Sequence, residues 1–277
     1  MDKNLPYKLI TLPDGSKGVE LGRYPQGADG EVLPIAWRIL ERDEENSKIL
    51  LITDKVIDNL KYHRVAAEVR WEYSDIRKWL NGHNSFSKSM FDKDERNDYH
   101  ASFFCNAFGP RERDSICFSK STKNGYYCKN DFNYHQNDCK DTIDRIFLLS
   151  VSETGNYFGQ GNICITDKGF HGGFWTKDKE AAKASSTPFA KVNNKNRKQF
   201  IEKSDAYEFI EGDGIYVHDD RSAETFWWLR NSGSGDVSHA SYVHWDGSMI
   251  CTVGRAVDTG FIGIRPALWL KIDGGKG

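Results

Sequence analysis

The chain has 277 residues, of which 38% are hydrophobic and 13% aromatic, and its formal net charge is −2. Plentiful rings and a small net charge exclude a chain that is disordered throughout. Balanced charge leaves no global field to draw in nucleic acid or an anionic membrane surface, and no apolar run approaches the roughly 20 residues of a membrane-spanning helix.

In chain order, the N-terminus from Met1 to Pro6 lacks the apolar core of a secretory signal. A cytoplasmic location is expected, or a phage- or surface-associated one reached without such a signal. Leu21 to Gln26 reads as a strand, followed by a Gly-rich turn at Gly27 to Gly30. The apolar runs Ile35 to Leu40 and Lys48 to Thr53 flank the polar turn Asp43 to Ser47, which predicts an antiparallel hairpin. Ser74 is a predicted N-cap, Asp75 suits the positive end of a helix, and Ile76, Trp79 and Leu80 share one helical face. Asn81-Gly82 stops that helix. A second short helix is predicted from about Ser87 to Asp94.

Residues 98–142 read as an insertion, polar and without periodicity. Ile146 to Leu149 returns to a buried-strand pattern, and Ser152 and Glu153 open a helical turn toward Phe158. The stretch Gly159 to Asn196 is polar, with a short helix predicted from Asp178 to Ala184. Strand-like pieces then alternate with Gly, Ser, Asn and Asp turns: Ile215 to Val217, Phe226 to Arg230, Ala240 to Val243 and Gly263 to Leu270.

Cys105, Cys117, Cys128 and Cys139 fall within 35 residues, separated by 11, 10 and 10 positions, and His135 stands four before Cys139. The tight Cys-x₂₋₄-Cys knuckles of a structural zinc site are missing. The thiols are therefore expected to be free and reduced, with no metal and no other cofactor. No nucleophile elbow, zinc-protease helix, phosphate-binding loop or dinucleotide fingerprint occurs, so no catalytic residue is assigned. His239, His244 and Asp246 form the densest histidine group and read as loop polars.

The ordered set Leu21-Gly22-Arg23-Tyr24-Pro25-Gln26, Trp37-Arg38-Ile39-Leu40, Ser74 to Asn81, Phe147 to Ser150, Trp227-Trp228-Leu229-Arg230, Asp246-Gly247 and Gly263-Ile264-Arg265-Pro266-Ala267-Leu268 carries a family likeness. It resembles bacterial and phage domains with a C-type-lectin-like fold, related to the formylglycine-generating enzymes. The resemblance implies an α+β class: small twisted antiparallel sheets with flanking helices and long irregular loops. It implies a single domain over 1–277, with the insertion at about 98–142. Trp37, Trp79, Trp227, Trp228 and Trp269 are then core residues, and Arg230 and Arg265 scaffold residues. The enzymatic branch relies on a C-terminal cysteine pair, and here only Cys251 stands in that region.

Members of this family resemble the variable proteins of diversity-generating retroelements, whose C-terminal segment varies on a fixed scaffold. The matching segment is about 228–265. The resemblance implies a ligand-binding face there, made of Asn231, Ser232, Ser234, Asp236, Ser238, His239, Ser241, Tyr242, His244, Trp245, Ser248, Ile250, Thr252, Arg255, Asp258, Thr259, Phe261 and Ile262. Tyr and Trp supply large contact area at low entropic cost, and Ser and Asn adapt the hydrogen bonding. The expected partner is a protein or glycan ligand. The alternatives are an enzyme of the formylglycine-generating type and a structural module of a phage or surface assembly.

Overall fold

A computed structural model describes residues 5–82, 102–128, 130–165, 172–191, 224–233 and 238–272. The helix predicted near Ser87 to Asp94 and the strand at Ile215 to Val217 lie outside the described residues.

The first sheet is built from sequence-local hairpins. Strands β1 (Lys8–Thr11), β2 (Lys17–Pro25), β3 (Val32–Asp43) and β4 (Lys48–Thr53) follow one another antiparallel. The hairpin read from the turn at Asp43 to Ser47 is β3–β4. The sheet is completed from far along the chain, by β10 (Ile146–Phe147) and β17 (Ala267–Lys271), in the order β1-β2-β3-β4-β17-β10. Strand β4 is buried from Ile49 to Thr53, so both of its faces are covered. Near-continuous apolar runs are what such strands require.

A second sheet of seven strands has the order β11-β12-β15-β14-β13-β16-β5. Its members are β5 (Asp58–Asn59), β11 (Gln160–Ile165), β12 (Gly172–Thr176), β13 (Trp227–Ser232), β14 (His239–Val243), β15 (Met249–Ala256) and β16 (Gly263–Ile264). All of β13 is buried. One continuous apolar cluster contains residues of both sheets, Trp37 and Ile52 from the first, Trp227 and Ile250 from the second.

Helices are short. Helix α1 (Asp75–Asn81) begins where predicted, with the Ser74 side chain accepting from the Arg77 N–H, and ends at Gly82 with φ of 69°. Helix α4 (Val151–Phe158) is capped by Ser150 rather than Ser152, in a reciprocal capping box with Glu153. Helices α2 (Phe103–Ala107) and α3 (Pro110–Ser115) precede it; α5 (Lys179–Ala182) and α6 (Pro188–Lys191) follow.

These elements overturn the expected α+β class with C-type-lectin-like small sheets. Among the described residues 43% are strand and 18% helix, in sheets of up to seven strands, so the chain is mainly β. The physical reason is the polar stretch after Gly159. It carries β11 and β12, which the sequence hides because Gly161, Gly172 and Gly173 interrupt any alternation. Gly173 is there for close approach: a Cβ at that position would stand 1.7 Å from the Met249 carbonyl oxygen of β15.

The segment expected to be an insertion is also part of the core. Phe103 is fully buried against Tyr24, Trp79 and Phe108, at ring separations of 5.2, 5.3 and 5.6 Å. Short strands β7 (Tyr126–Tyr127) and β8 (Tyr134–His135) pair within it, and β6 (Ser119–Ser121) pairs with β9 (Thr142–Asp144) at its end. Asp144 is buried and accepts from Arg77 Nε at 2.7 Å and from Trp71 Nε1 at 3.1 Å. Trp269, expected in the core, is only half-buried, with Lys48 Nζ 4.6 Å from its ring centre.

Candidate functional site

The predicted binding segment occupies β13, β14, β15 and the turns around them. Because this part of the sheet is covered on both faces, many of its polar side chains point inward. Asn231, Ser232, Ser241, Tyr242, Ser248, Ile250, Thr252 and Ile262 are all buried. Ser234 and Asp236 lie outside the described residues.

Asn231, Thr252 and Ser241 have partners that explain their burial. Asn231 Oδ1 accepts from the Val151 N–H at 2.7 Å, and its amide nitrogen donates to the carbonyls of Lys123 and Gly125, both at 2.8 Å. One side chain thus ties β13 to the start of α4 and to the insertion. Thr252 Oγ1 accepts from the Gly172 N–H and donates to the Gly172 carbonyl, bridging β15 to β12. Ser241 Oγ donates to the Ser232 carbonyl. These residues satisfy backbone groups in the interior and do not form a contact face.

The remaining residues divide between two ends of the β14–β15 hairpin. Ser238, His239, Asp258 and Thr259 are half-buried at its open end, where the Ser238 carbonyl accepts from the Val257 N–H. His244, Trp245 and Phe261 gather at the turn end, where chain connectivity brings three segments together. Trp227 pairs with Val243 across β13–β14 and with Gly263 across β13–β16, so Phe226 meets both the turn after β14 and the loop before β16.

Phe226 is the center of that cluster. Its ring lies 4.9 Å from His244, 5.7 Å from Tyr242 and 6.0 Å from Phe261, and His244 lies 5.1 Å from Trp245. The Arg255 guanidinium, on an exposed residue, stands 5.7 Å from the Phe261 ring centre. Phe226 and Tyr242 are buried and form a floor; His244, Trp245 and Phe261 are half-buried and form a rim. Sequence reasoning missed Phe226, although it opens the aromatic run Phe226-Trp227-Trp228.

The turn itself is closed by hydrogen bonds. The His244 N–H donates to the Ser248 carbonyl at 2.8 Å, and Gly247 takes φ of 85°. His244 Nδ1 lies 3.0 Å from Asp246 Oδ1, to which Ser248 also donates through its N–H and hydroxyl. Burial pushes the Asp246 carboxyl up, but the contacts from His244 and Ser248 outweigh it and bring the group down to about 2. A carboxylate lowered by folding contributes stability above its unfolded value of 3.8, and this is lost as pH falls through about 2. Thermal midpoints measured from pH 6 downward are therefore expected to fall less steeply in Asp246→Asn than in the parent between roughly pH 4 and 2. Identical slopes would show that the turn contributes nothing to acid stability.

Burial also pushes the Cys251 thiol far up, and neighbouring Cys164 reinforces the shift. Both are buried and free. Cys251 is thus held as a neutral thiol, poorly suited to act as a nucleophile at neutral pH.

No described helix is long and apolar enough to cross a membrane. No curated protein and no solved structure matches this chain. Residues 46–272, from the turn before β4 through β17, match one family over most of the chain's length, leaving β1, β2 and β3 outside. The chain belongs to that family, described as a domain of unknown function (DUF6273).

Proposed function

We propose that this chain is a ligand-binding module without catalytic activity, and that its contact surface is the turn end of the β14–β15 hairpin. The observation that carries this reading is the aromatic cluster itself. Half-buried rings of His244, Trp245 and Phe261 sit on a buried floor of Phe226 and Tyr242, beside the exposed Arg255. Rings fixed from below present area with little entropy to lose on binding. Arg255 adds a planar donor for a carboxylate, carbonyl or sugar hydroxyl. A protein or glycan ligand with an apolar or stacking face fits this chemistry.

The reading narrows the diversified segment that the resemblance implies. Free variation at Ser241, Ile250 or Asn231 would alter the interior, whereas variation at His244, Trp245, Arg255 and Phe261 would alter the surface. The buried thiol of Cys251 favours binding over the formylglycine-generating alternative.

The test pairs a glycan array with a displayed-peptide library, each probed with the parent chain and with Trp245→Ala, Phe261→Ala and Arg255→Ala. Each substitution is expected to weaken the selected ligands by about tenfold or more, the range of an interface anchor. Ser238→Ala, outside the ring cluster, is expected to leave binding unchanged. Ligands that bind all three surface variants as tightly as the parent would move the site elsewhere.

A further inference from the structure

The hairpin β7–β8 carries a second constellation, separate from the aromatic surface. Tyr126 pairs with His135 and Tyr127 with Tyr134. The connection between the strands folds back on itself: the Cys128 N–H donates to the Asn133 carbonyl at 2.9 Å, and the Phe132 N–H donates to the Cys128 carbonyl at 2.8 Å. Asp131 Oδ1 accepts from the Asn133 N–H at 2.9 Å. Cys128, Asp131 and His135 are thereby placed on one side of the hairpin end. One ligand atom from each, a thiol sulfur, a carboxylate oxygen and an imidazole nitrogen, lies within 4.8 Å of the others.

We propose that Cys128, Asp131 and His135 form a binding site for a divalent transition metal of the zinc class. Sulfur, nitrogen and oxygen together are the donor set that borderline-soft cations prefer over magnesium or calcium. In a tetrahedral zinc site such donors stand about 3.3–3.8 Å apart, as bond lengths of about 2.0–2.3 Å require. The three groups therefore need to draw together by only about 1 Å. The spacing Cys-x₂-Asp-x₃-His is that of a compact knuckle with a carboxylate in place of the second thiol. This is why a search for paired cysteines passes it over.

Independent features support the site. His135 Nε2 is buried and has no hydrogen-bond partner among the described residues, an arrangement that needs an explanation in a native structure. The His135 ring is stacked on Tyr126, 5.3 Å away and 12° from parallel, which fixes its plane. A Cβ at Gly125 would stand 1.9 Å from the His135 carbonyl oxygen, so glycine there is what lets the strands close. The hairpin is anchored rather than loose: Tyr127 and Phe132 pack on Phe174 of β12 at 5.6 and 5.9 Å. Binding replaces the Cys128 thiol proton, which is released to solvent. Among the described residues no fourth protein ligand joins the three, so a water or an incoming donor would complete the coordination.

The test uses the full chain, stripped with a chelator and dialysed. Zinc is titrated in competition with a chromophoric chelator, and cobalt is added separately as a spectroscopic probe. One saturable zinc site per chain is expected, and the cobalt form should show a thiolate charge-transfer band in the near ultraviolet. Loss of groups that merely orient a metal ligand costs roughly 10–100-fold in affinity. Cys128→Ser and His135→Gln, which remove ligands outright, are therefore expected to weaken binding by more than about 100-fold. Cys117→Ser, a half-buried thiol outside the cluster, should bind as the parent does. A parent chain without saturable zinc binding would overturn the site. So would a cobalt form lacking the thiolate band, a readout that needs no variant to fold, or zinc binding that survives in Cys128→Ser and His135→Gln.

Discussion

Arg230→Met is expected to destabilise the fold by about 3–5 kcal/mol, the range for removing one partner of a buried ion pair, here a fully buried guanidinium bonded to a half-buried carboxylate. The Arg230 side chain is completely buried. Its Nε donates to Asn124 Oδ1 at 2.8 Å, and its two terminal nitrogens donate to the carbonyls of Leu148 and Thr122 at 2.7 and 2.8 Å and to both carboxylate oxygens of Glu153. Glu153 is also the reciprocal partner of Ser150 in the capping box of α4, so one guanidinium joins β13, the insertion and the start of a helix. Methionine would fill much of the volume but leave two carbonyls, the Asn124 amide oxygen and a carboxylate without these donors, each costing about 1–3 kcal/mol. For a chain of this size the thermal midpoint should drop by about 6–20 °C. Arg230→Lys is expected to recover little, since an ammonium cannot reproduce the planar fork.

Arg265→Met provides the contrast. Arg265 is equally buried, and burial lowers its pKa to about 9. Among the described residues its only short bond runs from Nε to the Thr53 carbonyl at 2.8 Å, with contacts of 3.4 and 3.5 Å to the Ala182 and Asp54 carbonyls. The nearby Asp54 carboxylate is already bonded to Arg38 at 2.7 Å. A methionine between Trp227 and Phe158 replaces a poorly satisfied charge with apolar contact, so the loss is expected to be clearly smaller than at Arg230. Equal losses, measured by thermal or denaturant unfolding, would mean that the arginines contribute through packing alone.

What could be read in advance was the local chemistry. The Ser74 cap, the Gly82 stop and the β3–β4 turn depend on groups a few residues apart, and each stands where its residues imply. The elements that fix the class were not local. Strands β10 and β17 join the first sheet from more than ninety positions downstream of β4, and β11–β12 hide among glycines. The candidate site shows the same division. Alternating polar and apolar residues normally mark one wet face, but β13 is buried on both faces, and alternation loses that meaning. Asn231 looked like an adaptable surface amide. Its partner Lys123 lies 108 positions away, a distance over which no pattern reports. Trp245 and Phe261 carry the rim because the turn and the β16 loop converge on Phe226, a convergence set by pairing register.

Trp228→Ala is expected to cost about 3–5 kcal/mol, the range for deleting a fully enclosed large aromatic. Trp228 has no exposed surface. Its ring lies edge-on to Tyr62 at 5.7 Å, and its Nε1–H donates to the Leu60 carbonyl at 3.2 Å. The Tyr62 hydroxyl in turn donates to the Arg230 carbonyl at 2.8 Å, so the removed ring supports the residue that bolts β13 to the insertion. The cavity and the orphaned carbonyl act together, and the strand cannot relax toward solvent because both faces are covered. Trp228→Phe separates the two effects. It keeps most of the apolar contact and loses only the N–H, for an expected loss of about 1–3 kcal/mol. Trp269→Ala, at a half-buried position, should cost less than Trp228→Ala, because its ring already borders water beneath Lys48. Denaturant unfolding of the three variants checks the order. If Trp269→Ala were the most damaging, the first sheet rather than β13 would be the part of the fold that gives way first.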